Sequence, residues 1–382
     1  MRVFHTADWH LGRIFHNVSL LDDQKYIIEQ LISEIDQGKP DAVIIAGDVY
    51  DKAIPPEGAI RLLEDFINRV GGQRGVPIIM ISGNHDSGAR LSFASSVLQK
   101  ADVHIIGKST LDTIPIILND AHGEVYVYPL PYLSPLAARS LYKDSEIRSH
   151  QDVIERQVAC ILNDHPKNKR SLLIMHEFVI GATESDSERQ LTVGGTSHIE
   201  SGIVSKFDYV AMGHLHRPQA CGHEYIRYSG SLLKYSFSEV NHDKGVTEVI
   251  FDANGFAESK SIPLKPLRDM RIIQGNLDDL LHLARLDTCT EDFICAELLD
   301  EGALYEPMRR LQEVYPNTLE IRRPTKNNSM GITSEKSFHD LQKQDVTRLF
   351  DEFYQHVCTE PLNDTQQTLV KDLVEQLEQT TD

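Results

Sequence analysis

The chain has 382 residues, enough for two or three domains at roughly 100–200 residues each. With 41% hydrophobic and 25% charged residues it has a globular balance, which excludes a disordered or fibrous chain. Its formal net charge of −19 weighs against a protein that grips nucleic acid by its own surface field, because such binding works through Lys and Arg.

Short apolar, β-branched runs at 2–5, 42–46, 77–81, 125–128, 171–175 and 209–212 predict buried strands. Helical spacing separates the early ones. Residues 22–37 place Ile27, Ile28, Leu31, Ile32 and Ile35 on one face, and 57–70 do the same with Ile60, Leu63, Ile67 and Val70. Strand alternating with helix predicts α/β layers, with helices covering sheets. The runs at 224–229 and 246–252 have no helix between them, so part of the sheet system is expected to be antiparallel. A Pro-punctuated linker at 263–266 precedes a β-α-β-α-β pattern at 270–274, 277–286, 293–298, 307–314 and 319–322. A polar stretch, 325–334, then leads to two apolar helical stripes. The first is Val346, Leu349, Phe350, Phe353, Tyr354 and Val357; the second is Leu369, Val370, Leu373, Val374 and Leu377.

No run approaches 18 apolar residues, so no transmembrane helix is expected. The first residues meet Asp8 without the apolar region of a secretory signal. The five cysteines are odd in number, scattered and free of any CxxC pair, which fits thiols in a reducing cytoplasm and argues against a thiolate zinc site.

Five motifs share one context. Asp8-Trp9-His10 follows the first strand, Gly47-Asp48-Val49-Tyr50-Asp51 the second, and Gly83-Asn84-His85-Asp86 the third. His176 follows the run at 171–175, and Gly213-His214-Leu215-His216 follows 209–212. Each alone has a plain reading: Gly-Asp and Gly-Asn favour turns, and a single Asp-x-His pair means little. Five in order, each just past a buried strand, point to one shared site at the carboxyl ends of a sheet system. The donors are carboxylate, amide oxygen and imidazole, which suit manganese, iron or zinc in open coordination. Asp48 can bridge two ions, and two ions can activate a water for in-line attack at phosphorus. His85, between Asn84 and Asp86, is the candidate that faces substrate, either neutralising charge on the phosphate or protonating the leaving oxygen, with Asp51 orienting it. His5, His16, His104, His122 and His198 read as surface or structural residues.

The ordered set resembles the calcineurin-like metallophosphoesterase superfamily. The Tyr228-Ser229-Gly230-Ser231 and Tyr235-Ser236-Phe237-Ser238-Glu239 segments narrow the resemblance to the SbcD family, the nuclease subunits of bacterial SbcCD complexes. The resemblance implies a layered αββα sandwich at 1–267, a small α/β capping domain that helps hold DNA at 268–324, a linker at 325–338 and a helical pair at 339–382. It implies one metal on Asp8, His10, Asp48 and His216 and another on Asp48, Asn84, His176 and His214, both most often Mn2+. His85 would be catalytic and Asp51 its support. The implied activity is double-strand exonuclease and single-strand or hairpin endonuclease action in the cytoplasm, at the nucleoid, during DNA repair and recombination. The implied partner is the SbcC ATPase, docked through the C-terminal helices, with a nuclease homodimer inside a heterotetramer. The segments 57–70 and 90–99 resemble the helices that pair two such subunits. Arg309, Arg310, Arg322 and Arg323 are candidate phosphate contacts. Two other functions remain open: a phosphodiesterase or phosphatase acting on small phosphoesters or proteins, and a non-catalytic scaffold that tethers DNA.

The charge divides unevenly. Residues 331–382 carry a net −7, 268–330 a net −4 and 1–267 the remaining −8. Asp8 and Asp48 would be neutralised by divalent cations, so the total does not exclude a DNA substrate. It does predict weak DNA binding by this chain alone.

Overall fold

A computed structural model describes residues 1–188 and 198–323, together with 354, 362–363 and 365–371. By its contacts the chain forms two units, Met1–Pro324 and Thr325–Asp382.

Two six-stranded mixed sheets make the centre of the first unit. One runs in the order Gly255–Pro263, Gly245–Asp252, Arg2–Thr6, Ala42–Ala46, Ile78–Ile81, Val103–Ile106. Its last four strands are parallel. Gly245–Asp252 lies antiparallel to both of its neighbours. The other runs Gln219–Cys221, His223–Tyr228, Tyr209–Gly213, Arg170–His176, Gly123–Leu130, Ile116–Asp120, parallel through its middle four strands.

The alternation of side chains along a strand decides which layer each residue fills. In the first sheet Val3, Ile44, Ala46, Ile79 and Ile81 point to the second sheet, where Val125, Val127, Leu172, Ile174 and Ala211 meet them. Their neighbours Phe4, Val43, Ile45, Ile78 and Met80 point the other way, onto helices Leu21–Gly38 and Glu57–Ile67. The second sheet buries its outer face with help from helix His150–Asp164, through Ile154, Val158 and Ile161. The result is helix, sheet, sheet, helix. Strands covered on both sides read as unbroken apolar runs, which is why they were visible in the sequence. Helix Leu21–Gly38 buries the same five residues that its spacing predicts, each contributing roughly 1.5–3 kcal/mol of burial. It stops where Lys39 turns left-handed and returns its N–H to Ile35.

Two expectations change. The expected helix over 57–70 becomes Glu57–Ile67 followed by a wide turn, Asn68–Gln73, through Gly71 and Gly72. The expected helix over 90–99 is broken. Gly88–Leu91 and Ser95–Leu98 are separate four-residue turns, split by Ala94 at φ +58°. Ser92 Oγ donates back to the Gly88 carbonyl at 2.5 Å, a local bond that competes with helix continuation. The expectation of antiparallel pairing holds, with Gly245–Asp252 antiparallel to both neighbours, and the runs at 224–229 and 246–252 lie in different sheets.

Residues 270–322 form a small lobe of their own. Strands Met270–Gly275, Phe293–Leu298 and Thr318–Arg322 are parallel, crossed over by helices Leu277–Leu283 and Pro307–Gln312 around Leu277, Leu280, Ile294, Ala296 and Leu311. The lobe is tied to the sandwich. Arg268 bonds the buried Asp23 and lies 4.4 Å from the Phe293 ring, and Lys234 pairs with Asp269 at 2.8 Å. In the second unit only 365–371 is described at length, and it is helical, with Leu369 exposed. The expected linker and the first C-terminal stripe fall outside the described residues, apart from Tyr354. Among the described residues, no helix is long and apolar enough to cross a membrane.

One buried histidine lies between the sheets. His5 Nδ1 is 3.0 Å from Tyr209 Oη, and burial lowers the His5 pKa to about 3. An unfolded histidine titrates near 6.5, so the stability held above that pH is lost as pH falls from about 6.5 towards 3. Replacing His5 by Gln should remove this component. Urea midpoints for the wild type should fall more steeply than those of the variant between pH 6.5 and 5, by about 2 kcal/mol at pH 5. Parallel curves would show that His5 does not titrate on unfolding.

Candidate metal centre

All five motif loops emerge from the carboxyl ends of strands. Arg2–Thr6, Ala42–Ala46 and Ile78–Ile81 deliver three from the first sheet; Arg170–His176 and Tyr209–Gly213 deliver two from the second. Because those strands run parallel within each sheet, the loops can converge on one edge of the sandwich. To aim their side chains inward, Asp8, His10, Asp48 and His214 take left-handed backbone, with φ of 53°, 45°, 47° and 104°. Non-glycine residues in that region cost energy, and such residues gather at functional sites.

The glycines of the motifs leave room for these residues. A Cβ on Gly83 would stand 2.2 Å from Asp48 Oδ1 and 2.4 Å from its amide nitrogen. A Cβ on Gly213 would stand 1.9 Å from the Ala46 carbonyl oxygen. Gly83→Ala should therefore displace Asp48, lower stability by about 1–3 kcal/mol and weaken Mn2+ binding in a calorimetric titration. Unchanged affinity would show that the loop yields elsewhere.

Asp48 is central. Its Oδ2 lies 3.4 Å from His176 Nε2, 3.7 Å from His10 Nε2 and 4.0 Å from His85 Nε2. Its Oδ1 accepts the His85 amide at 2.9 Å. His10 Nε2 and His216 Nε2 are 3.1 Å apart, while Asn84 Oδ1 lies 3.0 Å from His176 Nε2 and 3.3 Å from His214 Nδ1. Asp8 accepts the His214 amide on both oxygens, at 3.0 and 3.2 Å. Asp8, His10 and His216 can offer ligand atoms to one point, and so can Asp8, Asp48 and His176. The seven expected ligands are thus gathered in one place, buried except for the partly exposed Asn84.

The electrostatics fit divalent cations. Burial lowers the pKa of His10 and of His214 well below the usual imidazole value, which leaves them neutral, as ligands must be. Burial pushes Asp8 up to about 7, against the pull of His176 and His216. Burial works to lower His176 as well, yet the Asp48 and Asp8 carboxylates outweigh it and raise that pKa to about 10. The cluster thus draws in positive charge. Oxygen and imidazole donors in this number suit two ions of the manganese, iron or zinc type.

The loops are stitched from behind. Asp86 accepts amides from Val49, Tyr50 and Gly83 at 3.1, 2.9 and 2.9 Å, which locks the second and third loops together. Gln24 donates to the His10 carbonyl at 2.7 Å, and Tyr235 to that of Trp9. The expectation for Asp51 needs correcting. His85 Nδ1–H donates to the main-chain carbonyl of Asp51 at 2.8 Å, whereas the Asp51 carboxylate bonds Arg13 at 2.8 Å and stands 3.7 Å from His10 Nδ1. A turn carbonyl is the acceptor here because His85 comes closer to the backbone of the second loop than to its side chain.

The four arginines expected to touch DNA have local partners on the lobe. Arg309 pairs with Glu306 and Glu313, Arg310 with Asp278 and Arg322 with Glu320, while Arg323 donates to the Gly302 carbonyl. Sequence reasoning gave no role to Glu239 and none at all to Lys244, although both are buried beside His216. The only signal was Glu239's place at the end of the tyrosine- and serine-rich segment.

Residues 1–218 match the calcineurin-like phosphoesterase family. The chain belongs to that family. Residues 266–357 of this phosphoesterase match a second family, the SbcD C-terminal domain, described as the type 5 capsule protein repressor C-terminal domain. Among solved structures, the phosphoesterase is similar to Yfce, a phosphoesterase from E. coli, at 13% identity. The match covers 69% of this chain and all of that one, with a TM-score of 0.29, a likeness too distant to carry any inference.

Proposed function

We propose that the protein is the manganese-dependent DNA nuclease subunit of an SbcCD-type complex, acting on duplex ends, hairpins and single strands. The observation that carries this reading is the joint match: a phosphoesterase domain with a gathered Asp/His cluster, followed by an SbcD C-terminal domain. In this reading 1–267 is the nuclease domain, 268–324 caps it, and 325–382 links to and docks on a coiled-coil ATPase.

Asp8, His10, Asp48 and His216 would hold one cation, and Asp48, Asn84, His176 and His214 the other. Two divalent cations, when bound, polarise the phosphodiester and make a water acidic enough to attack at neutral pH. Asp48 holds both ligand sets in register and, through Oδ1, the backbone of His85. His85 is 13% exposed at its side chain, open enough to meet a substrate. Its Nδ1–H is fixed on the Asp51 carbonyl, so Nε2 is the atom that carries a proton to the leaving oxygen. Asp51 therefore supports His85 through its main chain, and its carboxylate anchors Arg13.

A second reading has one observation in its favour. Arg309, Arg310 and Arg322 pair with acids on the surface, and the chain is acidic, which suits a small phosphoester better than a long polyanion. An assay of labelled linear duplex beside p-nitrophenyl phosphate and cyclic nucleotides separates the two. Mn2+ should restore DNA degradation after chelation, and better than Mg2+ does. Turnover of small esters alone would overturn the nuclease reading.

A further inference from the structure

Lys244 and Glu239 form a buried ion pair beside His216, with Nζ 2.6 Å from Oε2. Such a pair contributes little net stability, because desolvation offsets most of the Coulomb gain. Its effect lies in direction: an ammonium only donates and a carboxylate only accepts. Lys244 Nζ donates to the His216 carbonyl at 2.6 Å, to Ser231 Oγ at 2.8 Å and to Glu239 Oε2 at 2.6 Å, which uses all three protons. Ser231 passes its own proton to the Leu233 carbonyl at 2.7 Å. Ser187 donates its hydroxyl to Glu239 Oε1. His216 Nδ1 lies 2.7 Å from Ser187 Oγ and 3.2 Å from Glu239 Oε1. Both oxygens offer it only lone pairs, so Nδ1 carries the hydrogen and Nε2 is bare.

We infer that the Glu239–Lys244 pair sets the tautomer of His216, so that its Nε2 can act only as a ligand towards the cluster. The inference rests on the metal-centre reading above and adds a positioning role to it. Without an acceptor at Nδ1 the ring can move its hydrogen to Nε2, where His10 Nε2, 3.1 Å away, would accept it. A cation would then have to displace that hydrogen bond. Lys244 holds the Glu239 carboxylate and the His216 backbone at once, so ring and main chain are fixed from the same point. Partners of this kind typically change metal affinity by roughly 10–100-fold.

The test uses the full chain, metal-free and labelled with nitrogen-15 in histidine, together with calorimetric Mn2+ titration. Wild-type His216 should show the Nδ1–H pattern in long-range proton–nitrogen spectra. Glu239→Gln should shift it towards Nε2–H and weaken one Mn2+ site by roughly 10–100-fold. The double variant Glu239→Leu/Lys244→Met removes both charges and the carboxylate acceptor together and should show the same two changes, should the single variant fail to fold. Variants that keep the Nδ1–H pattern, or that match the wild type in affinity, overturn the inference. A wild type that binds no Mn2+ instead overturns the metal reading, a separate result.

Discussion

Replacing Asp48 by Asn is expected to lower Mn2+-dependent phosphodiester cleavage by roughly a thousandfold or more, about 4 kcal/mol of transition-state stabilisation. Its Oδ2 lies within 4.0 Å of three imidazole nitrogens, on His176, His10 and His85. Asparagine keeps the shape but loses the anionic oxygen that the two proposed ligand sets would share. The fold should survive, because the substitution is nearly isosteric. Cleavage rates and thermal melts of the two proteins check this together. A variant that retains a tenth of the activity would remove Asp48 from the centre of the account.

His85→Gln should behave differently. It is expected to lower kcat by roughly 10²–10⁴ with KM little changed, and to leave Mn2+ affinity intact. His85 is held by its own amide on Asp48 and by Nδ1 on the Asp51 carbonyl, at the margin of the cluster. Glutamine can keep the amide contact but supplies no acid. A parallel loss of metal binding would make His85 a ligand instead of a proton donor. The contrast with Asp48 separates the residues that hold cations from the one that acts on the leaving group.

The candidate site could be read from the sequence because its supports are local. Each ligand follows a strand buried on both faces, and such strands stand out as runs like Ala42–Ala46 and Ile78–Ile81. Parallel pairing then puts the loop ends on one edge. The supports from behind were not readable. Lys244 reaches back 28 residues to the His216 carbonyl, and Gln24 reaches 14 to that of His10, at separations that no periodicity encodes. The break at Ala94 was hidden because Leu91, Val97 and Leu98 keep a helical apolar spacing even though Ser92 closes its own turn. Arg309 stands at helical spacing from Glu306 and Glu313, so its pairing was visible in principle. The pairing of Arg310 with Asp278, 32 residues away, was not.

The central claim is that two divalent cations share Asp48 at the edge of the sandwich. Anomalous diffraction at the manganese edge, from crystals grown with Mn2+, tests it most directly. The account predicts two peaks with Asp48 between them, one beside Asp8, His10 and His216 and the other beside Asn84, His176 and His214. A single peak, or peaks that leave Asp48 uncoordinated, would contradict it.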